Sequence, residues 1–238
     1  MGDDFSTLQV YTSLPSVERR DALISAVKEA LSANNFSEVP SKDEFHNRVV
    51  VVGPKESTPW LTVYDSACSL DNHSKFKLLF SFPAFTELVK SISMMFGPSV
   101  IINMDDSCSV AFELFVNGEL IDHYQDNPTI GHLVTIGKWS EAERTRNAGH
   151  PETWAGHLGF EDGTADSLEQ VWGSGGSSPS ILKRTAKLLG WNEHLCRTGY
   201  NIGADGVPYP YQVITSNYAG YNDNVFKELY FAQTEKSS

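Results

Sequence analysis

Apolar and polar residues along this chain change period several times, and each change marks an element. Leu8-Gln9-Val10-Tyr11 joins apolar, β-branched and aromatic residues and predicts a short strand, punctuated by Leu14-Pro15. From Val17 to Ala33 the apolar positions are Val17, Leu23, Ile24, Val27, Ala30 and Leu31. Spacings of three and four place them on one face of a helix, with Ser16 expected as N-cap and Asn34-Asn35 as the stop. Val39 to Asn47 is polar, holds Pro40 and reads as loop. Arg48 to Val52 is a β-branched run closed by Gly53-Pro54, the signature of a buried strand. Trp60 to Tyr64 predicts the next strand. Phe82 to Phe96 predicts a second helix, with Phe85, Leu88, Val89, Ile92 and Met95 or Phe96 on one face and Gly97-Pro98 as its end. Three strands follow, at Val100–Met104, Ser109–Val116 and Glu119–Tyr124. Asn117-Gly118 joins the last two as a tight hairpin.

Leu8 to Ser16 reads LQVYTSLPS and Leu61 to Ser69 reads LTVYDSACS, identical at five of nine positions and offset by 53 residues. Each copy opens a strand, helix, strand succession, which reads as a divergent repeat of a β-α-β unit. Two such units predict an α+β protein with a ferredoxin-like sheet over residues 5–125.

After Tyr124 the chain becomes less regular. Residues 126–233 are expected to form a helical, turn-rich part packed on the sheet, either as a separate region or as one integrated domain. Helices are expected at 141–146, 167–172 and 179–191, a flexible connection at 173–180, and one late strand around Tyr209–Ile214.

Composition narrows the class. Of 238 residues 40% are hydrophobic, enough for a real core and too many for a wholly disordered chain. The formal net charge of -12 opposes nucleic acid and anionic membrane as partners. No apolar run approaches the roughly 20 residues that span a bilayer. Cys68, Cys108 and Cys196 are scattered and odd in number, without CxxC or Cys/His ligand spacing, so neither a zinc site nor a disulfide framework is expected. Met1 to Ser6 has no basic or apolar signal segment. A cytoplasmic location is the expectation.

Candidate chemistry is sparse. The GFEDGT core of Gly159–Asp166 resembles the G-x-x-D-G motif of dye-decolorising peroxidases, haem enzymes that also use a ferredoxin-like fold. The resemblance covers these few residues alone. It implies Asp162 on the distal side of a haem and an axial histidine well downstream. The one later histidine is His194, close behind, and the 76 residues after Asp162 are too few for the family's second half. Asp-Gly followed by Thr and Asp is also ordinary turn chemistry. Asp105-Asp106, after a strand, pairs two carboxylates that could hold a cation or act as acid and base, with Asp65, Asp71 and Glu113 as companions. The same pair also forms ordinary turns. His46, His73, His123, His132, His150, His157 and His194 show no ligand spacing, and Asp122-His123 on a strand point to opposite faces. Nucleophile elbows, kinase motifs and phosphate loops are missing from the sequence.

Tyr209, Tyr211, Tyr218 and Tyr221 lie in turn-rich sequence, where Tyr is suited to protein contact. The leading expectation is therefore a non-catalytic binding or regulatory protein with a protein partner, homodimerisation included. The alternative is an enzyme or a haem- or redox-cofactor binder, with a site between the sheet and the later part and with Asp162 and His194 in it.

Overall fold

The computed structural model describes residues 5–40, 44–54, 58–68, 83–105, 109–127, 140–160, 163–197 and 226–234. The strands are β1 (Phe5–Tyr11), β2 (Phe36–Val39), β3 (Arg48–Val52), β4 (Trp60–Asp65), β5 (Ser99–Asp105), β6 (Ser109–Val116), β7 (Glu119–Gln125) and β8 (Lys227–Gln233). They form one antiparallel sheet in the order β2-β8-β3-β4-β1-β5-β6-β7. The helices are α1 (Arg19–Ala33), α2 (Pro83–Met95), α3 (Glu141–Asn147), α4 (Pro151–Leu158), α5 (Thr164–Gly173) and α6 (Ser178–Leu189). The protein is thus α+β.

Strand residues alternate between two cores, as the two-residue period of a pleated strand requires. On the first face Leu8, Val10, Val50, Val52, Leu61, Val63 and Phe231 meet Leu23, Val27 and Leu31 of α1 and Phe85, Leu88 and Ile92 of α2. On the second face Trp60, Val100, Ile102, Phe112 and Leu114 meet Trp154 of α4, Leu168 and Trp172 of α5, Ile181 and Leu182 of α6, and Trp191 beyond it. Central strands are therefore covered on both sides. That is why β3 reads as an unbroken valine run in sequence, with every residue buried.

One buried ion pair ties the first face together. Arg48 Nε donates to Asp65 Oδ1 at 3.0 Å and its Nη2 donates to Asp65 Oδ2 at 2.5 Å. The same Nη2 donates to the Ala84 carbonyl in the first turn of α2, and the guanidinium lies 5.2 Å from the centre of the Phe36 ring. Both carboxylate oxygens and the Nε and Nη2 of the guanidinium are thus engaged, and such pairing is the condition under which a buried charge is tolerated. Beside the pair, burial and the Asp65 carboxylate push the Cys68 thiol well above its ordinary range.

Several boundaries differ from the sequence expectation. α1 begins at Arg19, not after Ser16. Ser16 to Glu18 form a turn in which the Glu18 and Arg19 amides donate to the Pro15 carbonyl. Val17 is left outside the helix and exposed. Its stop is as read: Asn34 caps α1, and Asn35 takes a φ of +63°. β2 precedes the polar stretch and pairs with β8, a strand that too few residues of regular period had marked. α4 was also unmarked, because its eight residues carry only Trp154 and Leu158 on the buried side. The expected strand at Tyr209–Ile214 lies outside the described residues.

Candidate functional site

Among the described residues β7 is the last strand at one end of the sheet, met on its outer side by the isolated bridge Tyr124–Ala148, and its two faces behave differently. On the second face it anchors the later helices through Asp122. Asp122 Oδ2 accepts the His150 amide at 2.6 Å and the Trp154 indole Nε1–H at 2.7 Å, while Oδ1 meets His150 Nδ1 at 2.7 Å. The carboxylate is buried and sits at the N-terminus of α4, where helix amides and dipole favour negative charge. His150 itself remains 66% exposed. With Nδ1 engaged as donor to the carboxylate, its lone-pair nitrogen is Nε2.

Gly149 makes this corner possible. It has a φ of +70°, and a Cβ there would lie 2.7 Å from Cζ3 of Trp172 and 3.1 Å from Cβ of Tyr124. Only a residue without a side chain lets the backbone pass so close to the stack. In that stack Tyr124 lies 4.5 Å from Trp172 and 5.6 Å from Phe112, and burial pushes the Tyr124 phenol up.

On the first face β7 is uncovered at its start. Leu120 is 50% exposed and Ile121 37% exposed. Between Leu114–Asp122 and Phe115–Leu120 the register shifts, so Ile121 is a bulge residue without an opposite partner. The β6–β7 turn fits the sequence signal: Asn117 and Gly118 take φ of +53° and +83°. The Gly118 amide donates to Ser93 Oγ, which donates to the Lys90 carbonyl. This clip fixes the turn against the end of α2. It brings the turn beside Met94, which is 65% exposed, with Met95 also exposed next to it. Met94 on α2 and Leu120 and Ile121 just past the turn are thus exposed apolar side chains around one corner. Glu119 stands opposite Val116 and is exposed on the second face, while Glu113 and His123 form a pair 3.7 Å apart on the first.

The residues singled out from sequence fall as follows. Asp162 lies outside the described residues, as do Tyr209, Tyr211, Tyr218 and Tyr221. On either side of Asp162, Gly159 caps α4 with a φ of +64° and Gly163 opens α5 with a φ of +91°. His194 is exposed, its backbone amide donating to Asn192 Oδ1. Asp105 ends β5, and Asp106 and Asp71 lie outside the described residues; Asp65 is taken up by Arg48. Asp122 and His123 do point to opposite faces. The partner that completes Asp122 is His150, 28 residues on. No spacing signals that pairing, because it depends on α4 docking against β7. The exposed corner was equally hidden, since an apolar residue in sequence does not say whether a helix covers it.

Among the described residues no cluster of three His, Cys, Asp or Glu side chains could hold a metal ion, and no helix is long and apolar enough to cross a membrane. No protein-family model, no curated protein and no solved structure matches the chain.

Proposed function

We propose that the chain is a non-catalytic binding protein of the cytoplasm that acts through protein–protein contact, with the start of β7 and the end of α2 as its contact surface. The observation that carries this reading is the exposure of three large apolar side chains, Met94, Leu120 and Ile121, around one clipped turn. Scattered apolar residues are normal on a surface, whereas grouped ones mark interaction sites. Methionine suits such a surface because its unbranched, polarisable chain adapts to a partner. Tyr209, Tyr211, Tyr218 and Tyr221 remain proposed contact residues on the strength of sequence alone. Cross-linking of the full chain in cell extract, with the products identified by mass, tests the reading. A partner recovered with the wild type and lost with Leu120→Gln/Met94→Gln supports it. An unchanged set of products removes it.

We also read β3-β4-β1-β5 as a ferredoxin-like core made by two copies of one β-α-β unit. In support, β1–α1–β3 and β4–α2–β5 each place a helix on the first face, and each pair of like strands brackets one strand of the other copy.

A second reading, an enzyme, has the Asp122–His150 pair in its favour. A carboxylate that holds Nδ1 leaves Nε2 free to take a proton from a bound molecule. His150→Gln, which cannot act as a base, would abolish turnover under this reading while leaving the fold intact. Retained turnover would exclude His150.

A further inference from the structure

We infer that the N-terminal end of α1 binds the phosphate group of a small molecule, held by Arg19, Arg20, Thr58 and the first-turn amides. The inference goes beyond the protein-contact reading and does not rest on it.

α1 opens against the usual charge preference. A helix N-terminus carries partial positive charge and favours acidic side chains. Here the first two helical residues are Arg19 and Arg20, after Glu18, whose side chain makes no cap hydrogen bond. Arg19 and Arg20 stand four and three residues before Leu23, so both flank the buried stripe that continues through Val27. Helix side chains tilt toward the N-terminus, which directs both guanidiniums past the first turn. Arg19 is only 8% exposed, and its Nη1 donates to the carbonyl of Thr58, just ahead of β4.

The donors gathered at this end lack acceptors. Arg19 Nε, Arg20 Nε and Thr58 Oγ1 are each enclosed without a hydrogen-bond partner. Among the described residues Arg20 makes no side-chain hydrogen bond and no ion pair, and the neighbouring carboxylates of Glu18 and Asp21 are exposed. Burial lowers the Arg20 pKa, and the charge of Asp21 opposes that shift without reversing it. The Glu18 and Arg19 amides donate to the Pro15 carbonyl and the Ala22 amide to the Glu18 carbonyl. Among the described residues this leaves the amides of Arg20 and Asp21 without an acceptor. Arg48, by contrast, is met by Asp65. A guanidinium drawn partly out of water without a counter-charge costs stability, and such departures from local rules are expected at functional sites.

Charge then selects the ligand. Two guanidiniums at one helix end supply two positive charges. A phosphate dianion matches both, whereas a carboxylate leaves one unmatched. Phosphate oxygens also accept from a hydroxyl and from helix amides together, as anions do at helix N-termini. A long polyanion is opposed by the net charge of -12, which leaves a small ligand.

The test is isothermal titration calorimetry of the full chain with inorganic phosphate and, separately, with acetate, at constant ionic strength. Phosphate is expected to bind with a Kd of about 1 mM or tighter, and acetate at least about tenfold more weakly. Arg20→Gln should weaken phosphate binding at least about tenfold, and Thr58→Val about threefold. Without phosphate, Arg20→Gln should unfold at the urea midpoint of the wild type or above it, since it removes an unmatched charge. Circular dichroism of each variant confirms the fold. Absence of phosphate binding, equal affinity for acetate, or undiminished binding by either variant would overturn the inference. So would a lower urea midpoint for Arg20→Gln without phosphate, because the guanidinium would then be holding the fold together rather than waiting for a ligand.

Discussion

Thr62 Oγ1 donates a 3.0 Å hydrogen bond to Gln9 Oε1, and the two residues are 53 apart in sequence. The offset equals that between the two L-x-V-Y segments, so each residue stands opposite its own counterpart. The neighbouring pairs follow: Leu8 faces Val63 and Val10 faces Leu61 in the antiparallel β1–β4 pair. A local two-fold axis therefore passes between Gln9 and Thr62. Both are buried on the second face, and Gln9 Nε2 has no partner.

That orphaned nitrogen makes the pair a test of coupling. Thr62→Val alone removes the one bond Gln9 makes and is expected to destabilise by about 1–3 kcal/mol, the penalty of a buried polar group left unmade. Gln9→Leu combined with Thr62→Val removes both polar groups and should destabilise by less than the two single changes added together. Urea unfolding of the four proteins measures this. Strict additivity would show that the two side chains do not act as a pair.

Asp122 and His150 should separate anchoring from surface chemistry. Asp122→Ala strips three donors of their acceptor at a buried site, and a loss of about 3 kcal/mol or more is expected. His150→Gln should cost under about 1 kcal/mol, because the ring is mostly exposed. Thermal or urea unfolding that ranked the two changes equally would contradict the assignment of Asp122 as the anchor of α4.

Asp126 gives the pH dependence a sign. It is half-buried after β7, its Oδ1 accepts the Val110 amide at 2.8 Å, and burial raises its pKa although that hydrogen bond pulls the other way. A carboxyl whose folded pKa is raised binds more proton folded than unfolded between the two values. Its contribution to stability is complete below the ordinary value of about 4 and is lost as pH rises through the folded value. Asp126→Asn keeps an acceptor for Val110 and removes the charge. The variant should therefore gain on the wild type as pH rises from about 4 toward neutrality, and then hold that margin. Urea midpoints measured across this range check it. A margin that shrinks with pH would mean the carboxylate is stabilised in the fold.

Local chemistry made the central elements legible. The unbroken Val49–Val52 run, the Asn117-Gly118 turn and the Phe85–Ile92 face of α2 each record a short-range constraint, namely burial on two sides, a positive φ at consecutive residues, or a 3.6-residue period. β8 was not legible as a sheet strand, because its place between β2 and β3 is set by pairing with residues far earlier in the chain. The same holds for the corner formed by Met94 and Leu120 and for the link between Asp122 and His150. Sequence determined which segments could bury an apolar face; which faces found a partner and which carboxylate met which imidazole were decided by long-range packing, where contact depends on position in space rather than on separation along the chain.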